Sequence, residues 1–218
     1  MKNLVIAIDG PAGAGKSTVA QLAAQKLQYT YIDTGAMYRA VAWRVLQENK
    51  PVTDALIIDV VKEIHVALRY QDTRTMVYVD GKEISAEIRT PEVTGIVSQV
   101  ARLQPVREKM VLLQRQMAEQ GAVVMDGRDI GSNVLPKADL KIFLTASIEE
   151  RARRRWKEMK EKGYDVNLAE LQQEIAARDK ADSERKISPL VQCEDAILLD
   201  TTGMDIPQVV QAILDMCR

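Results

Sequence analysis

The chain has 218 residues, of which 46% are hydrophobic and 28% charged, a balance that suits one folded domain with a full core and excludes disordered or fibrous classes. Its formal net charge of −1 supplies no global field to hold nucleic acid or an anionic membrane, so any anion site must be local. The two cysteines, Cys193 and Cys217, stand in no metal-ligand spacing, which excludes a disulfide framework or a zinc site. No run approaches the roughly 18 to 20 apolar residues of a membrane span, and the apolar stretch of Met1 to Ile8 is too short for a signal peptide. The expectation is a cytoplasmic protein with no nucleic-acid or membrane partner, and the lack of an evident exposed apolar strip points to a monomer.

In chain order, short apolar runs alternate with amphipathic segments, the pattern of an α/β domain with a mostly parallel sheet. The first expected strand, Leu4 to Ile8, runs through Asp9 into a glycine-rich turn and a helix over 17–27. A strand over Tyr29 to Ile32 precedes a helix over 36–48. Residues 65–90 break the rhythm, because Met76 to Ile84 reads as two short strands joined by an Asp80-Gly81 turn, a small antiparallel insertion. A helix over 105–119 starts at Pro105, and the strand Ala122 to Met125 ends in Asp126-Gly127-Arg128-Asp129. After a strand over Leu140 to Leu144, two charged helices over 147–161 and 168–183 flank Lys162 to Asn167, which has the makeup of a lid tip. A strand over Ala196 to Leu199 and a helix over 206–216 close the chain, giving five core strands.

The turn after the first strand, Gly10-Pro11-Ala12-Gly13-Ala14-Gly15-Lys16-Ser17, fits G-x-x-x-x-G-K-[ST] in the strand-to-helix setting that the motif requires. Glycines let backbone N–H groups turn inward around phosphate oxygens, and the helix N-terminus adds partial positive charge. Lys16 would bridge the β- and γ-phosphates, with Ser17 on Mg²⁺. A turn that merely joins strand to helix would not need all four fixed positions.

A GTPase is excluded by order: Asp179-Lys180-Ala181-Asp182 lacks the leading Asn of a guanine reader, and the D-x-x-G at Asp200 to Gly203 comes after it. Arg128 beside carboxylates at a strand end is odd for activating water but suits a second anionic substrate at the sheet's carboxyl edge. Arg39, Arg178 and Arg185 also stand apart from helix-surface pairs. The cluster Arg151, Arg153, Arg154 and Arg155 reads either as a solvated helix face or as a source of one or two ATP contacts. Asp126 either caps its strand or holds the metal indirectly. The reading is a P-loop kinase, against a non-catalytic nucleotide-sensing module.

Several ordered stretches resemble the bacterial cytidylate kinases over essentially the whole length: Ile8 to Pro11 with its phosphate loop, Asp33 to Arg39, Glu87 to Thr90, Ser98 to Val100, Val106-Arg107, Asp126 to Asp129, Lys141 to Leu144, and Arg178-Asp179 through Asp182 and Arg185. The resemblance implies transfer of the ATP γ-phosphoryl group to CMP or dCMP within one domain of the P-loop NTPase fold. That domain has a core (1–64, 91–150 and 186–218), a monophosphate-binding insertion (about 65–90) and a lid (about 151–185). By the same resemblance Gly10 to Thr18 and Arg155 bind ATP, while Ser98, Arg107, Asp129 and Thr34 read cytosine. Arg39, Arg128 and Arg185 hold the acceptor phosphate, and Arg178 and Asp182 lie near the sugar or phosphate.

Overall fold

The five expected core strands form one parallel sheet. They are Val5–Asp9 (β1), Thr30–Asp33 (β2), Val123–Gly127 (β6), Leu140–Thr145 (β7) and Ile197–Asp200 (β8), with labels in chain order over all strands and a spatial order of β2-β6-β1-β7-β8. This computed structural model describes residues 3–71, 74–161 and 163–218. Met1 and Lys2 of the N-terminal stretch, Asp72 and Thr73 of the expected insertion, and Lys162 of the expected lid tip lie outside the described residues.

The inner strands β1 and β6 are apolar almost throughout because both sheet faces are covered there. Ile6, Ile8, Val124 and Ile142 pack on one face beneath Lys16–Leu27 (α1) and Ile206–Met216 (α8), which also pack on each other. Ala7, Ile32, Val123 and Met125 point the other way, toward Val111 and Ala118 of Gln104–Ala118 (α5). Strand period therefore sorts neighbouring residues into separate cores.

The insertion carries one strand more than its hairpin predicts: Val66–Gln71 (β3), Arg74–Val79 (β4) and Lys82–Glu83 (β5) form an antiparallel sheet. Asp80 and Gly81 both have positive φ, +50° and +84°, the backbone of the two-residue hairpin turn their sequence calls for. Three helices pack beside this sheet: Thr34–Leu46 (α2), Asp54–Glu63 (α3) and Pro91–Ala101 (α4). The last two were not anticipated. Each is capped by a threonine, Thr53 accepting from the Leu56 N–H and Thr90 from the Val93 N–H, and α4 has proline in its first turn.

Ile148–Glu161 (α6) and Leu168–Glu184 (α7) pack on each other through Ala152, Leu171 and Ile175, and Asn167 caps α7. Among the described residues no helix is long and apolar enough to cross a membrane. Edge strand β8 leaves Ile197 and Leu198 44% and 53% exposed, an exception to the expected absence of an exposed apolar strip.

Candidate active site

From β1 the chain moves to one side of the sheet to make β2, and from β6 it crosses to the other side to make β7. Loops after strands flanking such a reversal diverge and leave a crevice at the carboxyl edge. Here that crevice is a cavity of about 850 Å³. Its wall holds nine cationic and six acidic side chains, a local positive excess in a chain whose net charge is −1.

At one end lies the phosphate loop. Gly10 has φ +150°, and a Cβ there would sit 1.9 Å from the Leu144 carbonyl oxygen, so only glycine lets β1 turn this close to β7. Gly13 to Thr18 line the cavity, while Pro11 and Ala12 are buried behind it. The Lys16 ammonium donates to the Pro11 carbonyl at 2.7 Å. Burial, then Arg128, pulls its pKa well below the usual lysine value. Ser17 Oγ donates to Asp126 Oδ2 at 3.0 Å, and Tyr31 donates to Asp126 Oδ1 at 2.7 Å. Burial, reinforced by Asp33, pushes the Asp126 carboxyl up to about 6. Asp126 thus stands behind the serine hydroxyl, as an indirect metal holder would.

At the other end, Asp129 is 4% exposed and holds three donors: Arg107 in a short ion pair, Arg185 Nη2 at 3.3 Å and Asn133 Nδ2 at 3.0 Å. Arg107 lies over the Tyr38 ring at 5.5 Å, which orients its guanidinium. Thr34 Oγ1 donates to the Asp126 carbonyl at 2.7 Å, so its hydroxyl faces a ligand as an acceptor. Ser98 lines the same wall from α4. Arg128 Nε donates to Asp182 at 2.8 Å, so Arg128 and Asp129, though adjacent in the chain, pair with other partners.

All nine residues expected at the acceptor line this one cavity: Thr34, Arg39, Ser98, Arg107, Arg128, Asp129, Arg178, Asp182 and Arg185. Arg155 lines it too, whereas the expected Gly10, Pro11 and Ala12 support the loop from behind. Two guanidiniums are poorly compensated. The Arg178 Nε is buried without a hydrogen-bond partner, and burial followed by Arg128 and Arg39 brings its pKa down to about 10. Arg39 is likewise lowered by burial, against the pull of Asp33.

Four contributors were missed or left undecided by the sequence reading. Asp9, at the end of β1, accepts the N–H groups of Ile130 and Gly131, each at 2.7 Å, and so fixes the π-helical turn Ile130–Val134 that follows Asp129. Of the arginine cluster, Arg154 reaches across to the Thr201 carbonyl at 2.7 Å and Arg151 is buried against Ala12, while Arg153 is the exposed member. Asp179, within a resembling stretch but given no role, also bonds Ala12. Burial of one face of α6 was the missing signal, since a run of arginines looks alike whichever face turns inward.

The description "Cytidylate kinase" belongs to the family model that matches residues 6–218. The chain belongs to the cytidylate kinase family. A relative so named from Bacillus cereus is 51% identical over 216 residues, covering 99% of this chain and 96% of the relative. Another from Bacillus thuringiensis is 51% identical over 214 residues, covering 98% and 95%. Solved structures resemble the fold at lower identity. An uncharacterized protein from Eubacterium ventriosum has a TM-score of 0.55 at 13% identity over 98% of this chain and 97% of its own. A gluconokinase from Sinorhizobium meliloti has 0.50 at 15% identity over 98% and 90%. The fold is that of the P-loop NTPases.

Proposed function

We propose that this cytidylate kinase family member transfers the γ-phosphoryl group of ATP to CMP or dCMP, with ATP at the phosphate-loop end of the cavity and the acceptor at the Asp129 end. The observation that carries the reading is the cavity's surplus of cationic over acidic side chains, including Arg178, whose Nε is buried without a hydrogen-bond partner, and the weakly compensated Arg39, facing a phosphate-binding loop. Holding poorly compensated guanidiniums partly out of water is costly, and two converging polyanions are the ligands that offset it.

Within this reading Lys16 and the N–H groups of Gly13 to Thr18 hold the ATP phosphates, and Arg155 approaches from α6. Arg39, Arg128 and Arg185 clamp the acceptor phosphate, whose oxygen is already a nucleophile and needs no general base. Arg128 and Arg185 exchange their carboxylate partners, Asp182 and Asp129, for phosphate oxygens when the acceptor arrives. Arg178 and Asp182 lie beside the sugar. Catalysis is then positioning and charge neutralisation, with α6 and α7 as the lid that excludes water.

The base end favours cytosine. Asp129 accepts from the exocyclic 4-amino group, Thr34 adds a second acceptor, and Arg107 donates to the ring's acceptor edge. Uracil would set its 4-oxo group against these acceptors, and unmade buried hydrogen bonds cost about 1 to 3 kcal/mol.

For Mg²⁺ the donor set fits. The Ser17 hydroxyl faces the cavity with the Asp126 carboxylate behind it, able to hold metal-bound water, and Mg²⁺ prefers few protein ligands beside substrate phosphates. Among the described residues no group of three or more histidine, cysteine or acidic side chains could hold a metal by itself, so the ion would arrive with the nucleotide. When bound it would neutralise charge on the transferred group.

The test is ADP release from Mg-ATP with CMP, dCMP, UMP and AMP offered separately. Turnover with CMP and dCMP well above the other two is expected. Faster turnover with UMP or AMP overturns the base assignment, and ATP binding without acceptor-dependent ADP release overturns the kinase reading in favour of a sensing module.

A further inference from the structure

One stretch of the phosphate loop is held from outside, by residues that touch neither end of the cavity. The Ala12 N–H donates to Asp179 Oδ1 at 3.0 Å, and the Ala12 carbonyl accepts from Arg151 Nη1 at 2.8 Å. Asp179 and Arg151 also pair with each other at 2.6 Å, and Arg151 Nε donates to the Ala146 carbonyl at 2.9 Å. Both backbone polar groups of one loop residue are therefore satisfied by a single ion pair that bridges α6 and α7. Arg151 is 4% exposed, so the pair works in a low-dielectric setting where charge-assisted bonds are strong and costly to leave half-made.

The placement on α7 gives this contact its meaning. Asp179 follows Arg178 directly, Asp182 comes on the next turn and Arg185 caps the helix end, so one helix carries the latch to the donor loop on one stripe and acceptor residues on the adjoining one. Packing continues the grip, because a Cβ at Gly13 would lie 3.5 Å from Arg151 Cβ and 3.7 Å from Ile175 of α7. A helix of this length moves as a unit. When Arg178, Asp182 and Arg185 turn onto an acceptor, Asp179 must carry the shift to Ala12, next to the glycines that receive ATP phosphates.

We infer that Asp179 and Arg151 are positioning residues that set the phosphate loop and couple acceptor binding to donor binding through the Ala12 backbone. The inference rests on the assignment of ATP and the acceptor to the two ends of the cavity. Coupling between two sites is reciprocal, so it can be read from either ligand.

The experiment measures the dissociation constant of CMP with and without a saturating non-hydrolysable ATP analogue and Mg²⁺, for the full chain and for Asp179→Asn and Arg151→Lys. The asparagine can still accept from Ala12 but cannot hold the arginine as a carboxylate does. In the unaltered protein the analogue is expected to tighten CMP about fivefold or more, within the usual range of coupling. In either variant that ratio is expected to fall below about twofold. Loss of packing alone would weaken both measurements together and leave the ratio intact. Ratios in the variants equal to that of the unaltered protein, or no coupling in the unaltered protein, overturn the inference. If Asp179→Asn does not fold, Arg151→Lys decides. Failure of the unaltered protein to bind CMP at all is a failure of the site assignment, and amide exchange at Ala12 then tests the latch: protection kept in Asp179→Ala, which leaves no acceptor for the Ala12 N–H, removes it.

Discussion

The two ends of the cavity are built by opposite means. The donor end is chiefly one contiguous turn whose working parts are backbone N–H groups, a lysine and a serine between β1 and α1, braced from outside by Asp179 and Arg151. The acceptor end has no contiguous part. Its residues come from α2, α4, α5, the turn after β6 and α7, and what aligns them is a set of side-chain bonds centred on Asp129. A backbone site is general, because every nucleotide offers phosphate. A side-chain site is particular, because the order of donors and acceptors selects a base. Binding power and selectivity should therefore fail separately.

The largest separation is expected at Lys16. Its ammonium is buried and rests on the Pro11 carbonyl, a partner it can surrender to a phosphate. Lys16→Ala should lower kcat on the order of a thousandfold or more while leaving the ranking of CMP over UMP intact. Steady-state rates with both acceptors check it. Near-normal turnover would remove the lysine from the transferred phosphoryl group, and a changed ranking would show that the two ends are not separable.

Asp9 comes next, and it belongs to both regions. It directly precedes Gly10 of the donor loop, yet its carboxylate holds the N–H groups of Ile130 and Gly131 in the acceptor turn. Burial outweighs those two bonds and pushes its pKa from 3.8 up to about 6. Between about pH 4 and 6 the folded state then binds more protons here than the unfolded chain, so this group's contribution to stability falls as pH rises through that window. Asp9→Asn loses one N–H acceptor at every pH but carries no charge to desolvate. Its stability deficit against the unaltered protein should therefore shrink by up to about 3 kcal/mol from pH 4 to pH 7. Urea unfolding at the two pH values measures the gap, and a gap that stays constant or widens sinks the assignment of a raised pKa to Asp9.

How much of this was legible in the sequence follows the same division. The donor end was readable because its chemistry is local: a strand, a glycine-rich turn and a helix start are adjacent in the chain. The core strands were readable because each is a short apolar run, imposed by burial on both faces in β1 and β6 and kept even in β8, whose Ile197 and Leu198 are exposed at the edge. The helices α3 and α4 were not, since each is short, rich in valine and isoleucine, and stabilised by packing on the insertion more than by propensity. At the acceptor end the resembling motifs supplied the residues but not their partners. That Arg128 pairs with Asp182, and Asp129 with Arg107 and Arg185, depends on helices 50 or more residues away in sequence or on a neighbouring one, and spacing along the chain carries no trace of it. Arg151 shows the limit most plainly, because a buried latch and an exposed arginine two residues on, Arg153, have the same sequence signature.

The smallest effect, and the sharpest for the comparison, is expected at Asp129. Replacing its carboxylate by the isosteric amide in Asp129→Asn keeps the volume and one acceptor, and presents an N–H₂ group that a 4-oxo base can use. Discrimination between CMP and UMP should narrow by about 10- to 100-fold, the worth of one buried donor–acceptor mismatch, with most of the change in the acceptor's kcat/KM and none in the KM for ATP. Arg107 and Arg185 each lose part of an ion pair, so some loss of stability accompanies the change. A loss spread equally over both acceptors would make Asp129 a scaffold for its arginines and hand the reading of the base to Arg107, Ser98 and Thr34. Selective gain for UMP relative to CMP would instead show that the carboxylate itself reads the amino group, so that the two ends of one cavity divide the work between backbone and side chain.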